Sequence, residues 1–158
     1  MARTITPASE RLWPRVDKTE TCWNWTGCLD RKGYGIIGDQ VDGRKVSIRV
    51  HRLAYSLLLG TLNDDDQVDH RCHNRRCVNP EHLRATTHKQ NQENRAGASR
   101  RSKTGVRGVF PTDRGNYEAS ITHDGKTHHA GRFATVAEAE AAVIDLRNRL
   151  YTHNDLDR

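Results

Sequence analysis

Long apolar runs are missing from this chain. None approaches the roughly 18 residues that cross a bilayer, so no membrane-spanning helix is expected. The N-terminal stretch MARTITPASERLWPRVD lacks the apolar core of a secretory signal, and the chain is expected to stay inside the cell, in a cytoplasmic setting. Thiols remain reduced there. Apolar residues are scarce as well, at 34%, with a mean hydropathy of −0.88. A polar chain of 158 residues closes only a modest core, so a staple such as a bound metal is expected. Cysteine is sparse too, at four residues with none after Cys77. In a reducing compartment these read as metal ligands rather than as two disulfides. No internal repeat is visible.

What the chain does have is positive charge. Its formal net charge is +6, which points to a polyanionic partner, nucleic acid before others. Residues 1–20 read as a lead-in that Trp13 and Val16 can pin to the body. From Cys22, CWNWTGCLDRKGYGIIG alternates Trp23 and Trp25, turns at Gly33 and Gly35, and continues into Ile36 and Ile37, a hairpin pattern. KVSIRV (45–50) is a second alternating strand. HRLAYSLLLG (51–60) places Leu53, Leu57 and Leu58 at helical spacing and stops at Gly60. NDDDQ (63–67) reads as a solvated loop. TTHKQNQENR (86–95) starts a helix that Thr87 can cap with Gln90 three residues on. AGASRRSKT (96–104) is small, polar and basic, a linker composition. Beyond it GVRGVF, NYEASITHDGKTHHAGRF and TVAEAEAAVIDLRNRLY predict three short strands and one helix. Asp124–Gly125 is a hairpin turn signal. Thr135 with Glu138 makes a capping box, and Ala139, Ala142, Val143, Leu146 and Leu150 line one helical face. The fold class is therefore α+β, with a domain boundary near residue 100.

The densest chemistry lies in VDHRCHNRRCVNPEHL, Val68 to Leu83. Cys72, Cys77 and His82 follow a Cys-x4-Cys-x4-His spacing. A tight knuckle can aim two thiolates and an imidazole at one ion, and a structural zinc takes four such ligands. The fourth must come from Cys22 or Cys28. With four protein ligands such a site is closed, so zinc there staples the fold and leaves the chemistry to other residues. Asp69, His70, His73, Asn79, His88, Asn91 and Asn94 remain. A neutral histidine accepts a proton from water near neutral pH. A hard cation such as magnesium prefers oxygen ligands, for example the Asp69 carboxylate and the Asn91 amide. A strand bearing Asp69 and His70, a metal-stapled loop and a helix bearing Asn91 are what phosphodiester cleavage needs at one point.

These residues resemble the HNH (ββα-metal, His-Me finger) nucleases, and among them a zinc-stapled branch of phage and intron-type homing endonucleases. CWNWTG with GYG, then HRLAY, then DHRCHNRRCVNPEHL occur in that branch's order, over roughly residues 10–95. The resemblance implies His70 as the general base, Asn91 as a cation ligand, and Asp69 as the second cation ligand. It implies Cys22, Cys72, Cys77 and His82 as zinc ligands, with Cys28 ranked behind Cys22, and Asn79 as a residue tying the loop together. His51 and Arg52, at the start of the preceding helix, are weaker candidates, and Arg52 can hold the scissile phosphate because a guanidinium pairs two phosphate oxygens. His73 and His88 read as bystanders. The cofactors implied are structural Zn2+ and catalytic Mg2+ or another divalent cation. The setting implied is the cytoplasm of a bacterial host.

Residues 104–151 resemble the APETALA-type (ethylene-response-factor-like) DNA-binding domain through GVRGVF, NYEASI, AGRF and TVAEAEAA. In that family a three-stranded sheet enters the major groove and a helix packs behind it. The charge distribution points the same way independently. Arg95–Arg132 holds eight Lys/Arg against three Asp/Glu, whereas Phe133–Arg158 holds three against five. A face on phosphates is basic; a helix turned from DNA can carry acids. Strand alternation places Tyr117, Ala119 and Ile121 toward the helix. The resemblance places Arg107, Arg114, Ser120, Thr122, Thr127 and His129 on the DNA face.

The expected organisation is a lead-in (1–20), a zinc-stapled ββα-metal nuclease domain (21–95), a basic linker (96–104), an APETALA-type domain of a three-stranded sheet plus helix (105–152) and a tail (153–158). The expected activity is metal-dependent hydrolysis of double-stranded DNA, with a homodimer as one route to a double-strand break. The alternative is a zinc-containing DNA-binding protein without catalysis.

Overall fold

A computed structural model describes residues 6–157. The chain divides into two compact units, Met1–His88 and Lys89–Arg158. Among the described residues no helix is long and apolar enough to cross a membrane.

The first unit wraps short strand pairs and two helices around one small core. In α1 (Ala8–Leu12) both Ala8 and Leu12 are buried, so the lead-in supplies core residues from position 8 onward. β1 (Val16–Lys18) pairs antiparallel with β2 (Trp23–Trp25). β3 (Ile36–Val41) pairs with β4 (Arg44–Arg49), and β5 (Gln67–His70) with β6 (Leu83–Thr86). The hairpin expected between Trp23–Trp25 and Ile36–Ile37 is therefore not the pairing adopted. A closer partner exists: Thr19 and Cys22 close a tight turn, with Cys22 N–H donating to Thr19 Oγ1 at 3.0 Å, which folds β1 onto β2. Trp25 is fully buried and its Nε1 donates to Cys28 O at 2.9 Å.

α2 (Val50–Leu58) follows β4 without a loop. Its buried residues are Val50, His51 and Ala54, while Leu57 and Leu58 are exposed. The expected apolar face thus survives only at the half-buried Leu53. Leu57 lies on the Val50 face, but two turns on, beyond the edge of so small a core.

The second unit opens with α3 (His88–Glu93), whose first residue still belongs to the first unit. β7 (Val109–Pro111), β8 (Tyr117–His123) and β9 (Lys126–Phe133) form an antiparallel sheet in that order, and α4 (Val136–Leu150) follows. Asp124 and Gly125 both adopt positive φ, 50° and 72°, which is the turn the Asp-Gly pair favours. Thr135 and Glu138 form the capping box at the start of α4. Ala139, Val143 and Leu146 of α4 are buried with Val109, Ala119 and Ile121 of the sheet.

Compactness divides the chain at His88/Lys89, ahead of the 96–104 segment whose composition suggested a linker. The physical reason is the far end of α3. Glu93 is buried, and its Oε2 accepts from Thr152 N and Oγ1 at 3.0 and 3.1 Å. The Arg107 guanidinium donates to Gln92 O, Glu93 O and Arg95 O at 3.0, 2.9 and 3.1 Å. Carbonyls at a helix C-terminus have no partner within the helix, and a guanidinium satisfies several at once.

Candidate active site and metal centre

Three short segments build the metal centre. β2 has β1 along one edge and the knuckle loop along the other, where Trp25 N–H donates to Arg76 O and Val78 N–H to Trp23 O, at 2.9 and 2.8 Å. Asn74 Nδ2 donates to Asn24 Oδ1 at 2.7 Å, and Asn79 Nδ2 to Thr21 O at 2.8 Å. These bonds hold Cys22, just before β2, against the knuckle. Cys22 Sγ, Cys72 Sγ, Cys77 Sγ and a ring nitrogen of His82 all lie within 4.8 Å of one another. His82 Nδ1 is 3.7 Å from Cys22 Sγ and 3.5 Å from Cys77 Sγ. A tetrahedral zinc with arms of about 2.3 Å sets edges of roughly 3.8 Å, so these separations fit an ion at the centre. Cys28 is exposed and outside the group. Cys22 is thus the fourth member.

The electrostatics fit as well. Cys72 donates to Cys77, which holds the Cys77 thiol down to about 4, and the same bond pushes Cys72 up. The Asn79 backbone N–H donates to Cys77 Sγ at 3.4 Å and supports the thiolate. A cation can replace the shared proton and satisfy every donor atom. This Cys3His group can therefore hold a metal such as zinc.

The knuckle also positions His70. Both Asp69 and His70 are buried at the end of β5. His70 Nε2 lies 3.1 Å from the Cys77 carbonyl oxygen. A carbonyl only accepts, so Nε2 carries the hydrogen and Nδ1 is left with the lone pair. Burial pushes the His70 pKa below the ordinary imidazole value and favours the neutral ring. Its neighbours are aromatic: the His51 ring centroid is 4.7 Å away and that of Tyr34 6.1 Å. His51 is itself buried, with no partner at Nδ1, and burial holds its pKa down to about 3. Directly across the β5–β6 ladder from Asp69 stands Arg84, whose Nε and Nη2 both donate to Asp69 Oδ2, at 3.1 and 2.9 Å.

The remaining expected residues fall in varied settings. Asn91 is half-buried on α3, in the second unit. Arg52 is half-buried and donates to the Asp66 carbonyl at 2.6 Å, bracing the 63–66 loop. Arg114, Thr122, Thr127 and His129 are exposed. Ser120 is not: a register shift between Ala119 and Ser120 interrupts the alternation, and Ser120 is buried. Arg107 is also taken from the expected outer face, because its guanidinium is spent on the α3 carbonyls. His73 is buried at Nε2, and His88 Nδ1 bonds to Gln67 Nε2 at 2.9 Å.

Two contributors, Tyr34 and Arg84, were not legible as such, and a third, His51, stood only as a weaker candidate. Tyr34 lay inside a GYG stretch that reads only as a turn. His51 carried weak signal because one histidine on an amphipathic helix is common. Arg84 meets Asp69 only through strand register, which spacing does not reveal.

Residues 49–93 match the HNH endonuclease family. The chain is 33% identical over 133 residues to an uncharacterized HNH endonuclease of Acanthamoeba polyphaga mimivirus, covering 84% of this chain and 62% of that protein. It is 33% identical over 95 residues to Protein 2.8 of Escherichia phage T7, covering 60% and 63%. Protein 7.7 of the same phage is 37% identical over 84 residues, covering 53% and 62%. The chain thus spans less than two thirds of the length of each of these relatives. No solved structure matches. Residues 49–93, from Arg49 at the end of β4 to Glu93 at the end of α3, are therefore an HNH endonuclease family domain.

Proposed function

We propose that the protein is a metal-dependent DNA endonuclease of the phage or intron homing type. The observation that carries this reading is the His70–Cys77 bond, which leaves Nδ1 of a buried, neutral histidine as a proton acceptor beside a metal-stapled loop. In the reaction, His70 Nδ1 accepts a proton from a water molecule as its oxygen attacks the scissile phosphorus. The bond to the 3′ oxygen then breaks, and that oxygen takes a proton from solvent, leaving a 5′ phosphate and a 3′ hydroxyl. The Cys77 carbonyl holds the hydrogen on Nε2 and so keeps Nδ1 free until it accepts the proton from water.

The resemblance assigns Asp69 and Asn91 as cation ligands, and each would offer an oxygen to a hard divalent cation such as Mg2+. Such a cation would neutralise charge developing on the leaving oxygen. Zinc at Cys22, Cys72, Cys77 and His82 would be structural. The sheet β7–β9 would position duplex DNA through exposed Arg114, Thr122, Thr127 and His129, in the manner of an APETALA-type domain. The basic balance of Arg95–Arg132 supports that role. One active site nicks one strand at a time, so a double-strand break takes a second copy or a second event. The phage T7 relatives support a phage-borne enzyme working in a bacterial host.

Incubation of supercoiled plasmid with protein and Mg2+ tests the reading. Wild-type protein is expected to give nicked or linear DNA, and His70→Ala to lose about 100-fold or more of the rate, the usual worth of a general base. Undiminished cleavage by His70→Ala would remove the assignment. The two hydrogen bonds that Arg84 donates to Asp69 Oδ2 favour a second reading, a zinc-containing DNA-binding protein without catalysis. In that case the plasmid is shifted in a gel but never cut.

A further inference from the structure

Tyr34 is held in an unusual way for a half-exposed ring. Asp30 Oδ1 accepts from Lys32 N and Tyr34 N, at 2.8 and 3.0 Å, and fixes the turn. Gly33 takes a φ of +83°. At Gly35 a Cβ would come within 2.4 Å of Val50 Cγ2 and 2.7 Å of Trp25 Cδ1, so only glycine allows this close approach. The ring so placed meets the imidazoles of His51 and His70, at 5.4 and 6.1 Å between centroids. It also carries two guanidinium groups. Arg49 Cζ lies 4.7 Å and Arg75 Cζ 5.2 Å from its centroid.

Two like charges on one ring repel, and the neutralisation within the protein is partial. Arg49 is 3.6 Å from Asp30 Oδ2. Arg75 donates to Lys32 O at 2.6 Å and, among the described residues, forms no ion pair with a carboxylate. Both arginines are exposed. A guanidinium braced on an aromatic face keeps its N–H edge available, and that edge matches two oxygens of a phosphate.

We propose that Arg49 and Arg75, braced on Tyr34, clamp the phosphodiester backbone of the DNA strand presented to His70. The clamp deepens the nuclease reading and rests on it for the identity of the base. Its ligand is a phosphate of duplex DNA, and its recognition is independent of sequence. Tyr34 sets the distance between the bound backbone and the His70 ring.

The test is binding of a fluorescent duplex by anisotropy across a salt series, in buffer without divalent cation, alongside plasmid cleavage with Mg2+. Each phosphate contact contributes about −0.9 to the slope of log affinity against log salt. Arg49→Gln and Arg75→Gln are each expected to make the slope shallower by about that amount, and the double variant by about twice it. Arg49→Lys, which keeps the charge, is expected to retain most of the slope. Tyr34→Leu keeps both charges but loses the brace, and is expected to weaken binding about two- to fivefold. Slopes unchanged from wild type in a folded double variant overturn the clamp, as does wild-type binding without salt dependence. Unchanged slopes with intact cleavage reject the clamp alone. Shifted slopes with no cleavage by wild type support the clamp and reject the nuclease reading.

Discussion

His70 Nε2 and the Cys77 carbonyl oxygen, 3.1 Å apart, tie the proposed base to the metal knuckle through a single residue. Cys77 contributes its sulfur to the Cys3His group and its carbonyl to the histidine. The orientation of the base therefore depends on the knuckle being closed. Structural zinc contributes folding energy directly. Protein stripped of zinc and returned to buffer containing only Mg2+ is expected to stay inactive on plasmid. Adding zinc together with Mg2+ is expected to restore cleavage. Full recovery with Mg2+ alone would show that the knuckle does not govern the base.

The two N-terminal cysteines separate cleanly. Cys22 faces the other three members of the Cys3His group, whereas Cys28 is exposed and its backbone carbonyl accepts from Trp25 Nε1 and Ile36 N–H. Cys22→Ser is expected to lower bound zinc well below one per chain and to reduce the thermal stability of the first unit. Cys28→Ser is expected to leave both near wild type. Metal analysis and a melting curve on the two purified variants check this. Equal metal content in both would point to another fourth ligand.

How much of this was legible in the sequence depends on where the information sits. The β8–β9 turn and the start of α4 were readable because Asp124–Gly125 and Thr135 with Glu138 act over a few residues. The Cys72–Cys77–His82 knuckle was readable from spacing, and the HNH resemblance of this stretch agrees with the family match over 49–93. Partner choice was not. The pairing of Trp23–Trp25 with Val16–Lys18, the burial of Ser120 at a bulge and the meeting of Asp69 with Arg84 are properties of register, which a linear pattern leaves open. Arg107 shows the same limit: the resemblance implied a place on the DNA face, and its guanidinium caps α3.

Arg107 and Arg114 should accordingly behave differently. Arg107 makes three bonds to carbonyls at the end of α3, while Arg114 is exposed. Hydrogen bonds from charged donors contribute about 1.5–3 kcal/mol each at most, and their losses do not add. Arg107→Ala is expected to destabilise the second unit by about 2 kcal/mol. Arg114→Ala is expected to leave stability unchanged and to make the salt slope of DNA binding shallower by about 0.9. Denaturant melts and salt titrations on both variants separate the roles. A pure affinity defect in Arg107→Ala would return that residue to the DNA face.

His51 gives a pH dependence whose sign is fixed by its burial. The ring is 2% exposed, Nδ1 has no partner, and burial followed by the neighbouring His70 lowers its pKa to about 3. In the unfolded chain the same group titrates near about 6.5. Between these values the unfolded state binds a proton that the folded state refuses. Its contribution is therefore constant above about pH 6.5 and turns against folding as pH falls, by at most about 1.4 kcal/mol per unit. His51→Gln removes the titration while keeping a polar side chain. With zinc in excess, wild-type protein is expected to lose more stability between pH 7.5 and pH 5.0 than His51→Gln, read as the shift in urea midpoint. Equal shifts in the two proteins would mean that His51 is protonated, or solvated, in the folded state, and that its orphaned Nδ1 has found a partner.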